Sequence, residues 1–511
     1  MTRLMFVSAL FASALVTGCM SDNCASCACS VPVQLAEPFS DGAVLQRGMK
    51  VPVWGSAAPG AEVTVTFAGQ TLSARADAAG AWRVDLQPMD ASCEGRTLRA
   101  ASGACAAEAS DILVGEVWFC AGQSNTEQPL VGKDPRFRDA KGAMRAQLTN
   151  RPLIRFCHQS NYKTAVSPKS VCAKKVAWKA FTPENLAASP SFSAMGVYYA
   201  LEVHAALGIP VGIVGTYWGG TRAEPWTPES GLRSVEATAA LASAPRYDAA
   251  AFEKLEKKPC HRLMDQPTVL WNEMVAPWTP YAIRGFIWYQ GCSNAGEGFG
   301  YVAKMHALYN GWSKEFENPE LKLRFVQLAP WGYEGIATIQ MAQQRFAAEQ
   351  KNAKMAVIND RGNLSDIHPN DKETVGQRLA LLSLKYDYGF GIKADSPTVK
   401  DWKVEGDAFV VTFDNAESLY LYNPDRSVRA GFEICGADGA WKPAVIRNLH
   451  NNTPKGKPTY RGLVDGGAKL VLAAEGVAEP KKLRYLHSRP WFGCVYNEVD
   501  LPLGAFAVDA Q

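Results

Sequence analysis

Four short stretches of this 511-residue chain hold the residue types that nucleophilic catalysis by a serine requires. The first runs Gly115-Glu-Val-Trp-Phe-Cys-Ala-Gly122-Gln123-Ser124-Asn125. An apolar, β-type run leads directly into Gly-Gln-Ser-Asn, so Ser124 falls on a tight turn at a strand's end. There its hydroxyl is accessible and its own N–H can face a developing oxyanion. The second, Gly215-Thr-Tyr-Trp-Gly219-Gly220-Thr221-Arg222, also follows an apolar run, and paired glycines let a backbone N–H approach a ligand closely. The third ends in Trp288-Tyr289-Gln290-Gly291-Cys292-Ser293-Asn294, where the Gln290 amide is a further candidate donor to an oxyanion. The fourth is Ser365-Asp366-Ile367-His368-Pro369. In extended backbone, residues two apart point the same way, which lets Asp366 orient the imidazole of His368 and stabilise its charged form. Of the other histidines, His204 and His306 lie in helical patterns. His158, His261, His450 and His487 lack a comparable acidic neighbour at a strand end.

These segments need a scaffold that delivers strand ends to one place. Candidate strands are Val117–Cys120, Leu153–Cys157, Val211–Thr216, Arg284–Tyr289, Leu323–Leu328 and Met355–Ile358. Helical spacing of apolar residues marks Phe192–Leu207 and Tyr301–Phe316, and Asp371 caps a further helix reaching Tyr386. Alternating strands and helices predict an α/β fold with a largely parallel sheet, whose ligands bind at the carboxyl ends of the strands. Residues 37–110 show only short β runs and turns and predict a β-sandwich; β-type runs return over 396–511.

Charge excludes one broad class. Lys plus Arg total 53 against 50 Asp plus Glu, a balance that argues against a nucleic-acid partner steered by a basic field. The 14 Trp and 17 Tyr include flat rings able to stack on sugars, although most should fill cores. The first 18 residues read as an export signal: Arg3, an apolar run from Leu4 to Val16, then small residues. Leu15-Val16-Thr17-Gly18-Cys19 looks like a bacterial lipobox, which makes 19–36 a tether lipidated at Cys19; the alternative is an ordinary secretory signal. Thirteen cysteines suit an oxidising compartment. Cys93 with Cys105, and Cys157 with Cys172, are spaced to close local loops, and Cys24, Cys27 and Cys29 lack a fourth ligand nearby for a metal.

Taken together and in order, the four segments resemble the sialate O-acetylesterase family of SGNH-type serine esterases. The likeness runs from Phe39-Ser-Asp-Gly-Ala-Val-Leu-Gln46 to Leu501-Pro-Leu-Gly-Ala-Phe506 and includes Pro267-Thr-Val-Leu-Trp-Asn272. It implies an N-terminal β-sandwich, a flavodoxin-like SGNH core over 111–395 and a C-terminal β region. It also implies a serine carboxylic-ester hydrolase without metal or organic cofactor, acting on O-acetylated sialic acid. Carried over by motif, Ser124 is the nucleophile and His368 the base; Ser124 N–H, Gly220 (or Gly219) and Gln290 form the oxyanion hole. Gln123, Asn125, Thr221 and Asn294 fall to substrate binding, Asp366 to the acidic partner, with Asp360 the weaker choice.

Three departures stand out. Many SGNH-type esterases use Asp-x-x-His, and here Ser365 stands in the Asp position, which leaves Asp366 as the choice of acidic partner. Cys292 occupies the place of a glutamate usual in the family, and Thr126 follows Gln-Ser-Asn where methionine is familiar. The rival readings are an acetyl xylan or other glycan acetylesterase with the same machinery, and a surface glycan-binding protein that has lost catalysis. Export, by lipid anchor at Cys19 to periplasm or cell surface or by plain secretion, is expected in all cases, with no other hold on a membrane.

Overall fold

The computed structural model describes residues 31–188, 191–243, 263–333, 335–423, 430–451, 460–487 and 492–510. The expected export signal, Cys19, and the Cys24, Cys27, Cys29 cluster lie outside the described residues.

The chain is mixed α/β. Its central sheet runs Trp178–Phe181, Arg151–His158, Val211–Tyr217, Cys105–Gly122, Gly285–Tyr289, Lys322–Val326, Ala353–Ala356 in spatial order. All of these neighbours pair in parallel except the antiparallel edge strand Trp178–Phe181. The inner strands Val211–Tyr217 and Gly285–Tyr289 are wholly buried and nearly continuously apolar, as strands covered on both faces must be. Adjacent residues of Cys105–Gly122 show the two layers. Trp118 meets Tyr199 of helix Ala194–Leu207 edge-on at 5.4 Å, while Phe119 meets Trp312 of helix Gly300–Glu315 at 5.8 Å. Successive strand residues point to opposite faces, so the two helices cover opposite sides.

The strand Cys105–Gly122 passes through residue 110 unbroken. Its first half pairs with Ser92–Ser102, its second with Val211–Tyr217 and Gly285–Tyr289. The N-terminal β region therefore shares one hydrophobic core with the central sheet rather than packing as a separate bead. Glu116 locks the junction. It is fully buried and accepts from Gln46 Nε2 at 3.0 Å, Arg47 Nε at 2.6 Å and Arg284 Nε at 2.9 Å. Beyond residue 395, antiparallel sheets enclose a second core around Phe409, Phe432, Tyr485 and Phe506. This region holds the end of the last parallel strand: Asn359 Nδ2 donates to Leu503 O at 2.6 Å and Asn359 O accepts from Gly493 N–H.

Neither expected local disulfide forms. The hairpin register sets Cys105 opposite Ser102 and leaves Cys93 near its far end, roughly 30 Å away at the rise of a strand. Cys93 is an exposed free thiol, whereas Cys105 is disulfide-bonded elsewhere. Cys157 and Cys172 are buried free thiols, and Cys157 Sγ accepts from Gln159 Nε2 at 3.1 Å. Among the described residues, no helix is long and apolar enough to cross a membrane.

Candidate active site

Ser124 opens the short helix Ser124–Glu127 directly after the long strand. The turn needs Gly122, whose φ is +142°: a Cβ there would stand 2.4 Å from Tyr289 O and 2.5 Å from Thr126 Oγ1. Thr126 fastens the helix back to the sheet by donating to Tyr289 O at 3.0 Å. As the first residue of a helix, Ser124 has an N–H without an intrahelical acceptor, directed away from its own turn.

His368 comes from the loop between the last parallel strand and helix Lys372–Tyr386, which Asp371 caps by accepting from Thr374 N–H at 3.0 Å. Its Nε2 lies 2.8 Å from Ser124 Oγ, across 244 positions of sequence. Its Nδ1 lies 3.2 Å from Asp366 Oδ1, which also accepts the His368 backbone N–H at 2.9 Å. The pair therefore meets through a tight turn, not through the extended backbone expected from sequence, and one carboxylate oxygen fixes both ring and main chain. Phe137 and the imidazole pack in a T shape, ring centres 5.0 Å apart. Burial holds the His368 imidazole below its ordinary value, with Lys372 acting in the same direction and Asp366 against it. Asp360 is committed elsewhere, clasped by both terminal nitrogens of Arg378 at 2.6 and 2.8 Å.

Gly219 rests against the nucleophile: a Cβ there would lie 3.2 Å from Ser124 Cβ. Its N–H is taken, donating to Glu127 Oε2 at 2.7 Å. Glu127, unnoticed in the sequence because a lone acid three residues past Ser124 carries no signal, thus fixes the glycine loop. Gly220, at φ +75°, is the solvent-facing member of the pair. Tyr162 donates to Glu127 Oε1 at 2.7 Å and packs edge-on against Trp218, leaving a half-exposed aromatic wall beside the glycines.

Gln290 differs from expectation. It is fully buried, and its Nε2 already donates to Thr221 O at 3.1 Å and to Asn294 Oδ1 at 2.7 Å, so neither amide hydrogen is left for an oxyanion. The four residues expected to hold substrate are likewise buried and bonded within the protein. Gln123 Oε1 accepts from Gly291 N–H, and Asn125 Nδ2 donates to Ile367 O. Thr221 Oγ1 donates to Trp218 O, and Asn294 Nδ2 donates to Glu224 and Glu297. Their motif positions build the loops around Ser124; they do not line an open surface. Cys292, a half-buried free thiol, adjoins Asn125, and burial pushes its thiol up to about 12. Among the described residues, no group of three His, Cys, Asp or Glu side chains is placed to hold a metal ion.

What the arrangement can do is transfer an acyl group: a hydroxyl at a strand end, an imidazole bonded to it whose burial favours the neutral form, and the Ser124 N–H without an intrahelical acceptor. Comparison with known proteins agrees. The family model for carbohydrate esterases described as sialic acid-specific acetylesterase matches residues 114–385. The sialate O-acetylesterase of Homo sapiens is 27% identical over 436 residues, covering 78% of this chain and 79% of that protein. That of Mus musculus is 26% identical over 463 residues, covering 78% and 82%. A carbohydrate acetylesterase of Xanthomonas citri, known from its crystal structure, is 29% identical with a TM-score of 0.78, covering 94% of this chain and all of that one.

Proposed function

The chain belongs to the carbohydrate esterase family of sialic acid-specific acetylesterases, and from that membership we propose that it hydrolyses acetyl esters of sialic acid through a serine acyl-enzyme. The observation that carries the mechanism is the 2.8 Å contact between His368 Nε2 and Ser124 Oγ. Ser124 attacks the acetyl carbonyl while His368 accepts its proton. The tetrahedral oxyanion is met by the N–H groups of Ser124 and Gly220, the Gly219 N–H being held by Glu127. His368 then returns the proton to the departing sugar oxygen, and water, activated by the same imidazole, frees acetate from Ser124. Asp366 orients the ring and balances its charge during both steps.

The central sheet is read as a flavodoxin-like SGNH core, since Ser124, Gly220 and His368 all stem from the carboxyl ends of its parallel strands or the loops that follow them. Export, with lipidation at Cys19, is part of the same proposal, because the signal-like first 18 residues would deliver the enzyme to extracellular glycans. The relative from Xanthomonas citri is described only as a carbohydrate acetylesterase, so the sugar is the point to test. Acetate release from O-acetylated sialic acid and from acetylated xylan, measured side by side as kcat/KM, separates the two. Preference for sialic acid supports the reading, and a strong preference for xylan overturns the substrate assignment.

A further inference from the structure

Three hydrogen bonds tie the serine turn to the histidine loop, and all pass through two side chains. Asn125, the residue after Ser124, donates from Nδ2 to Ile367 O at 3.0 Å. Lys372 Nζ donates to Asn125 Oδ1 at 2.7 Å and to Pro369 O at 2.9 Å. The carbonyls immediately before and after His368 are therefore both gripped, the first by Asn125 and the second by Lys372, and these two side chains are bonded to each other. We propose that Lys372 is a positioning residue of this site: its Nζ, clamped between Asn125 and Pro369, sets the imidazole of His368 against Ser124 Oγ.

The surroundings of Lys372 separate this role from ordinary packing. The side chain is completely buried, and no carboxylate forms an ion pair with it among the described residues. Its Nζ also stands over the face of Tyr289, 5.3 Å from the ring centre. The charged or titratable groups around it are Cys292, Asp139, Asp371 and Asp366, and those around His368 are Asp366 and Lys372 itself. Burying an ammonium without a paired anion is costly, and a methionine, one atom shorter, would fill most of the space at less cost. Burial brings Lys372 down to about 7. Its charge also disfavours the imidazolium form of His368. Removing it should therefore do two things at once: loosen the placement of the ring, and raise its proton affinity. A packing role alone does not predict the second.

The inference rests on the serine-esterase reading for its kinetic arm only. Lys372→Met in the full chain, checked by thermal melting, should lower kcat about 10²-fold, the scale of a misplacement of about 1 Å, with KM little changed. In the same variant the His368 imidazole, followed by NMR titration, should move upward. Lys372→Gln, which keeps a donor but no charge, should show the same upward move with a smaller loss of kcat, and serves where the methionine variant does not fold. Unchanged kcat together with an unmoved His368 titration in a folded variant overturns the clamp. If the unsubstituted protein hydrolyses no acetyl ester, the functional reading fails instead, and the His368 titration alone then decides whether Lys372 controls the histidine.

Discussion

Replacing Asp366 isolates what an exposed carboxylate contributes to this site. Asp366 Oδ1 sits 3.2 Å from His368 Nδ1, and the side chains of the two residues are 38% and 24% accessible. Unit charges at that distance attract by about 5 kcal/mol at an effective dielectric near 20 and by about 1.3 kcal/mol in bulk water. Half-solvated geometry places the stabilisation of the imidazolium between them, at about 2–3 kcal/mol, which corresponds to roughly 30- to 150-fold in rate. Asp366→Asn keeps an oxygen to accept the Nδ1 proton and removes only the charge, so kcat/KM for acetyl ester hydrolysis should fall about 30- to 150-fold. Asp366→Ala also frees the backbone N–H of His368, held at 2.9 Å, and should cost about tenfold more. Initial rates on a soluble acetyl ester, with melting curves to confirm folding, read both. If the alanine variant retains activity within about threefold of the parent, Asp366 is not the acidic partner and the reasoning is wrong.

Other consequences are as direct. His368 must be neutral to accept the serine proton, and burial holds its pKa below the ordinary 6.5. The pH profile of kcat/KM should therefore rise through a midpoint below 6.5; a midpoint above 7 contradicts the environment described. With its thiol pushed up to about 12, Cys292 should be inert to iodoacetamide at neutral pH, with activity intact after treatment. Rapid inactivation that substrate prevents would assign it a larger part. Glu116→Gln removes the one anion shared by Arg47 and Arg284. Since both arginines keep some solvent, the loss should sit near the lower end for a broken buried pair, about 3 kcal/mol, seen as an earlier denaturation midpoint. A shift worth under about 0.5 kcal/mol would show that the junction is held by packing alone.

The sequence spoke clearly where chemistry and local pattern coincide. Ser124 was legible because a β run ends in Gly-Gln-Ser, and only glycine fits the +142° turn at position 122. Helix Ala194–Leu207 and the Asp371 cap were legible from apolar spacing and a capping residue. Helix Ile336–Glu349 was not, because two of its inward positions are Gln340 and Gln343. Their amides bond to the backbone at Leu328 and Val326 and so interrupt the hydrophobic period that reveals a helix. Gln290 was assigned by its place in a motif, but which partners an amide meets depends on the fold, here Thr221 from another loop together with Asn294 and Tyr301. Lys372 escaped notice for a general reason: a lysine beside an acidic cap reads as surface, and only the fold shows it buried.

The claim on which the rest depends is that Ser124 carries the acyl group. The direct measurement is acetate release from 9-O-acetylated sialic acid by the purified protein beside its Ser124→Ala variant. Turnover by the parent, abolished in the variant while its fold is kept, is the result this account predicts. Equal turnover by both would contradict the serine mechanism, and no turnover by the parent on this or any other acetylated glycan would contradict the enzymatic reading itself.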